Sequence, residues 1–298
     1  MFGWWNTRNQ TPAKAAVAPA LPAPTLPAAE TPPPEASALA WLLDGPAPEP
    51  GPLTPAERAL LQPLDQQLKA ARLPSDLLPR APAVIPQLLG LLRQEQPARA
   101  AMVQQVLKDM LLTAEVLRLA RSPFYGQQPV DTLETALDRI GTAGLQSAMA
   151  RVLLKPVYQA QAGGLVAIVA PRLWLHAEYK SMLCAELVAQ RGGDRFDGLL
   201  AGLLHDTGWL ALMRLMDRVQ TRPLLPISLA LDAALDRRKD RLFGRLTADW
   251  DLTPALTSLS MQLRGGAAQP GESRLVAALR EADRHCTADL RGPARSST

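Results

Sequence analysis

The sequence predicts an all-α fold, and three observations carry that prediction. Helix-start signals follow one another from Thr54 towards the end of the chain. Behind each of them apolar residues recur at three- and four-residue intervals. No segment sustains the alternation and turn dipeptides of a sheet; the nearest approach, "LVAIVA" at 165–170, is short and runs into Pro171. The 298 residues are 47% hydrophobic and 20% charged, which is enough to build a sizeable core. Aromatic residues make up only 4%, so that core is mostly Leu, Ala and Val.

The first 53 residues read differently. "TPAKAAVAPALPAPTLPAAETPPPEA" is rich in alanine and proline. Proline removes a backbone donor and disfavours helix at the residue before it, so this stretch is expected to be a disordered tether with no core of its own. Phe2, Trp4 and Trp5 cluster at its tip and are candidates for docking into a partner groove or onto a membrane surface. The apolar patch "ALAWLL" at 38–43 is suited to docking on the domain as a helical turn. Residues 54–290 are then one helical domain, and 291–298 a polar, disordered tail.

Within that domain the elements follow in order. Thr54, Pro55 and Glu57 form a capping box with proline at the first helical position, and Leu60, Leu61, Leu64 and Leu68 mark the buried face. "VIPQLLGLLRQ" at 84–94 carries a further leucine stripe. Over 101–120, Val103, Val106, Leu107, Met110, Leu111, Ala114 and Leu117 predict one continuous amphipathic helix. In "VDTLETALDRIG", Asp131 and Glu134 are read as the capping box. Leu133, Ala136, Leu137 and Ile140 are its apolar face, and Gly141 its stop. Helices at about 145–159, 170–191, 197–217, 228–249, 253–263 and 272–289 follow by the same reasoning.

Charge and cysteine usage narrow the function classes. A net charge of +4 is mild for this length, and "DRRKDR" at 236–241 alternates in sign like a solvated helix face, so nucleic acid is not an expected partner. Cys184 and Cys286 are far apart and read as reduced packing thiols. No apolar run reaches the roughly 20 residues of a membrane span, and "MFGWWNTRNQ" lacks the charged start and long apolar stretch of a signal peptide. A cytoplasmic location is the expectation.

"AGLLHDTGWLAL" at 201–212 sets a His-Asp pair inside an otherwise apolar run. His176 lies on the preceding helix, and the "GGD" at 192–194 makes a tight connection that turns the two helices antiparallel, so His176 and His205 can face each other. Asp283, on a late helix, is the candidate fourth group. Two imidazoles with two carboxylates suit Fe, Mn, Zn or Ni better than Ca, and a water on such an ion ionises near neutral pH and attacks phosphoesters. The competing reading is that His205 and Asp206 pair with each other and with nearby backbone, His176 being a satisfied core histidine. Arg172 and Lys180, about one turn either side of His176, and Arg284 beside Asp283 are the candidate phosphate clamp. His285 and Cys286 have no second Cys/His pair and read as structural.

"LWLHAEYKSMLCAELVAQRGGDRFDGLLAGLLHDTGWLAL" resembles the central part of an HDOD domain, a branch of the HD superfamily. The upstream "VLKDMLLTAEVLRLARSPFYGQQPVDTLETALDRIGTAGLQSAM" resembles that branch more specifically, with "RLARSPFYG" closing one helix and "IG" ending the next. "ADWDLTPAL" and "LVAALREADR" extend the likeness over roughly residues 72–290. The resemblance implies an HD-type metal tetrad at His176, His205, Asp206 and Asp283. It departs from the HD-GYP branch, which carries further histidines and a "GYP" segment, because "TSLSMQLRGG" has no histidine; it also has Arg121 where asparagine is more usual. The resemblance further implies a non-catalytic regulatory or scaffold protein of bacterial signal transduction that contacts other signalling proteins. The alternatives are a metal-dependent phosphohydrolase acting on a nucleotide or phosphoester, and a sensor that binds a metal or nucleotide without turnover.

Overall fold

The computed structural model describes residues 37–78, 106–126, 129–130, 132–159, 163–248, 250, 252–265 and 273–291. Phe2, Trp4 and Trp5, the leucine stripe at 84–94 and the 292–298 tail lie outside them. The described residues form ten α-helices and two short 3-10 turns, with one isolated bridge between Glu49 and Ser228 in place of any sheet.

The chain enters through α1 (Ala38–Leu42), where the apolar patch forms a short helix capped by Ser37. Leu39, Ala40 and Leu42 are buried, so packing begins ahead of the Thr54 start that composition indicates. α2 (Pro55–Lys69) has the expected capping box and buries its four leucines. α3 spans Met110–Ala120 and corrects the continuous helix predicted over 101–120. Asp109 interrupts it, because its carboxylate accepts from the Leu111 and Leu112 amides at 2.8 and 3.1 Å and competes with helical hydrogen bonding. The break rotates the stripe. Leu112, Val116, Leu119 and Ala120 are buried, whereas Leu107, Met110 and Leu111 are exposed. α4 (Leu133–Tyr158) bends at Gly141, whose φ of 63° lies outside the helical region, so the predicted stop is a kink. Its cap is Thr132 rather than Asp131, with Thr132 Oγ1 accepting from the Thr135 amide at 3.1 Å; Asp131 is outside the described residues.

α5 (Gly164–Gln190) is the central helix and is buried along most of its length. It packs against α6 (Arg195–His205), which Asp194 caps after the tight connection through Gly192. Contacts running from Gly198 against Ala185 to Gly202 against Ser181 make the pair antiparallel, as predicted. A Cβ at Gly202 would run into the Ser181 backbone, so glycine sets how closely the helices approach. The single helix predicted over 197–217 is two, divided at Asp206, with α7 spanning Thr207–Arg218. α8 (Leu229–Leu246), α9 (Pro254–Arg264) and α10 (Arg274–Arg291) complete the fold. α10 packs on α5, and α8 packs on α7 and α9. A smaller apolar cluster joins α3 to the first half of α4, while the larger core runs through α5, α6, α7, α8 and α10 and encloses the polar groups described next.

Candidate functional site

Four elements aim polar side chains into the larger core. α5 presents His176 and Lys180, four residues apart and therefore on one face. α6 ends on His205, and Asp206 stands at the junction with α7. α10 brings Asp283 and Thr287, again four apart. α8 supplies Asp236, Lys239 and Asp240, and approaches closely because Gly208 leaves room for the Lys239 carbonyl.

The side chains form one connected network. His176 Nδ1 lies 2.7 Å from Asp206 Oδ2, and its Nε2 lies 3.0 Å from Thr287 Oγ1. The Lys180 ammonium donates to Asp206 Oδ1, to Asp283 Oδ1 at 2.8 Å and to His205 Nδ1 at 3.1 Å. Its three N–H bonds thus have three acceptors. Because His205 Nδ1 accepts, its proton resides on Nε2, which donates to Asp240 Oδ1 at 2.8 Å. The Lys239 ammonium sits 3.1 Å from Asp283 Oδ2, 2.8 Å from Asp236 Oδ1 and 3.3 Å from Asp240 Oδ1, and 5.5 Å from the centre of the Trp209 ring. Lys180 and Asp206 are 0% exposed, His176 and Lys239 1%, and His205 3%. Trp41 of α1 lies over His176 with ring centroids 5.9 Å apart.

Burial opposes every charge in this cluster, and the partners decide the outcome. Burial raises the Asp206 and Asp283 carboxyls, but the Lys180 ammonium beside both pulls them well below the usual carboxylate range, with His176 and Lys239 adding to the effect. For Asp240 burial likewise loses to Lys239 and the His205 bond, which bring it down to about 2. Burial lowers Lys180 and Lys239, yet Asp206 and Asp283 raise the first, and Asp236, Asp240 and Asp283 raise the second, above the ordinary lysine value. Burial lowers His205, with Lys239 and Lys180 reinforcing it, so His205 is held neutral.

The four residues expected as a metal tetrad are therefore brought together. His176, Asp206 and Asp283 each offer a ligand atom within 4.8 Å of the others. The donor set nevertheless does not fit a divalent ion with Lys180 in place. Its ammonium already takes one oxygen of Asp206, one of Asp283 and the lone pair of His205 Nδ1. An ion at that position would meet a fixed positive charge at hydrogen-bonding distance.

The residues expected to clamp phosphate are scattered. Lys180 is at the centre of the network. Arg172 turns to α1, donating to the Trp41 carbonyl at 2.8 Å and pairing with Asp44 at 2.7 Å. Arg284 is exposed on α10. Lys239, Asp240 and Thr287 had no place in the sequence reading of the site. The "DRRKDR" run corrects the solvated-face reading. Arg238 grips Asp65 of α2 at 2.6 and 2.9 Å, Lys239 is buried, and Asp240 holds His205. The available signal was spacing. Leu231, Leu235, Lys239 and Leu242 lie at four-, four- and three-residue intervals, which puts Lys239 on the apolar stripe. Cys184 and Cys286 are buried free thiols, as expected; burial pushes Cys184 up to about 12.

Comparison with known proteins adds the lineage. The family model for the HDOD domain matches residues 78–260. A candidate metal-dependent phosphohydrolase from Shewanella amazonensis SB2B superposes with a TM-score of 0.56 at 18% identity, over 82% of this chain and 86% of that one. An HDOD domain protein of unknown function from Geobacter sulfurreducens superposes with a TM-score of 0.50, also at 18% identity, over 77% and 78%. At that identity the two structures share the fold alone. No curated protein matches the sequence.

Proposed function

The chain belongs to the HDOD family, and from that premise we propose that it is a non-catalytic regulatory scaffold of signal transduction, acting by contact with other signalling proteins. The observation that carries this reading is the closure of the HD-type site. A metal-dependent hydrolase must bring a phosphorus atom against an activated water held by an open metal position. Here His176, His205 and Asp206 are buried and Asp283 is mostly buried. Lys180 engages Asp206, Asp283 and His205, His176 is bonded to Asp206 and Thr287, and Trp41 packs against the His176 ring. Arg172, one of the three cations expected to meet a phosphate, instead fastens α1 over this side of the core. The exposed Met110 and Leu111, 86% and 72% accessible, provide apolar surface of the kind that protein contacts use.

The test is a turnover screen. Purified full-length protein is incubated with Mn²⁺ and, in turn, cyclic dinucleotides, nucleoside triphosphates and p-nitrophenyl phosphate. The expected result is release no faster than in protein-free controls. Turnover that a His205→Ala variant abolishes would overturn the scaffold reading in favour of a hydrolase.

A further inference from the structure

We propose that Lys180 and Lys239 are a resident substitute for a divalent ion, so that the HD-type cluster serves as a metal-free brace joining α5, the α6–α7 junction, α8 and α10. The inference deepens the closed-site reading above and rests on it. It gives the cluster a task in place of catalysis.

Three observations converge. The first is position. Lys180 Nζ is bonded to two carboxylates and one imidazole, Asp206, Asp283 and His205, which are three of the four groups an HD-type ion would draw on. The second is charge. Asp206, Asp240 and Asp283 bring three negative charges into the core, and the two ammonium groups return two positive ones, the charge of one divalent ion, while the half-exposed Asp236 pairs with Lys239 at the rim. The third is connectivity. Asp283 of α10 is shared between both lysines, one on each oxygen, so α5 and α8 are tied to α10 through a single carboxylate. His205 is held from α5 by Lys180 and from α8 by Asp240. A metal ion cross-links elements by collecting their ligands at one point. Two ammonium groups with three donors each achieve the same convergence.

An ordinary buried ion pair would share some of this geometry, and the distinction is experimental. Removing Lys180 leaves an excess of buried negative charge around Asp206, Asp283 and His205 and vacates the space the ammonium fills. If the lysine stands in for an ion, that space should accept one. Wild-type protein should therefore carry no stoichiometric Mn or Zn by elemental mass spectrometry, and its Tm should not respond to EDTA or to added Mn²⁺ or Zn²⁺. Lys180→Ala should melt about 10 °C lower in EDTA, the order expected for orphaning one side of a buried ion pair in a domain of this size. Mn²⁺ or Zn²⁺ should recover most of that loss with one ion per chain. Adding Asp206→Asn should abolish the recovery. Lys180→Met, which drops the charge but fills the space, should melt low and ignore metal. If Lys180→Ala does not accumulate as folded protein, Lys180→Gln carries the same test with a smaller loss and a weaker metal response. Stoichiometric metal in the wild type, or a folded Lys180→Ala or Lys180→Gln that gains no ion, overturns the proposal. Turnover by the wild type would sink the scaffold reading, whereas failure of the lysine variants to gain a metal sinks only the brace.

Discussion

Asp240 shows how a charged residue is made tolerable in a core. It accepts from His205 Nε2 and neighbours Lys239, so its carboxylate is matched to one hydrogen-bond donor and one cation. Asp240→Ala should cost about 3 kcal/mol in urea denaturation, because it orphans both the His205 N–H and a share of the Lys239 charge. Asp240→Asn keeps an acceptor for His205 and should cost clearly less; equal losses would mean that the His205 bond contributes nothing. The histidines and two of the aspartates were readable in the sequence, because a His-Asp pair inside an apolar run has few explanations. The lysines were not. Lys180 shares a helix face with His176, and that spacing equally suits a phosphate clamp and a cluster member. Only the burial of that face, fixed by α8 and α10, separates the two.

At the scale of elements, close approach and side-chain fastening set the geometry that the cluster needs. Gly202 lets α6 lie against the backbone of α5, which brings His205 within reach of Lys180. Gly202→Val should force the two helices apart and lower stability by about 1–3 kcal/mol, readable as a reduced denaturation midpoint at unchanged slope. α1 is held by Arg172 and by Ser37, whose hydroxyl donates to Asp232 at 2.5 Å. Arg172→Ala should raise amide exchange at 38–43 while leaving the core amides of α5 protected. Uniform loss of protection would show that α1 is not a separable element. Helix positions were legible wherever the apolar period was unbroken, as in α2 and α9, whereas α5 begins at Gly164, ahead of the expected start near 170 and across the run nearest to a strand pattern. They failed where a polar side chain competed with the helix, at Asp109, or where the chain turned between two helices that share one apolar run, at Asp206. Periodicity records which face is buried and is blind to a change of axis.

For the whole molecule the cluster dictates a stability profile in pH. Asp206, Asp240 and Asp283 are held below the ordinary carboxylate value of 3.8, so the stability they contribute is present above it and lost as pH falls towards about 2. His205 is held below its ordinary 6.5, so the unfolded chain takes up a proton first and stability begins to decline below that pH. Lys180 and Lys239 are held above 10.5, so their contribution is complete below that value and is lost as pH rises through their folded-state values. Burial also raises the Cys184 and Cys286 thiols above their ordinary 9.0, so denaturant titrations should give a plateau from about pH 7 to about pH 9 with declines on both sides. A maximum confined to acidic pH would contradict the assignment of charges.

The shared Asp283 carboxylate has a consequence for life in a cell. Cofactors must be captured from a fluctuating supply, and they can be stolen by chelators or replaced by a wrong ion of higher affinity. Positive charge carried on Lys180 and Lys239 is delivered with translation, in fixed stoichiometry, and is immune to starvation and to mis-loading. On the brace proposed above, the cluster would reach its mature form without any loading step.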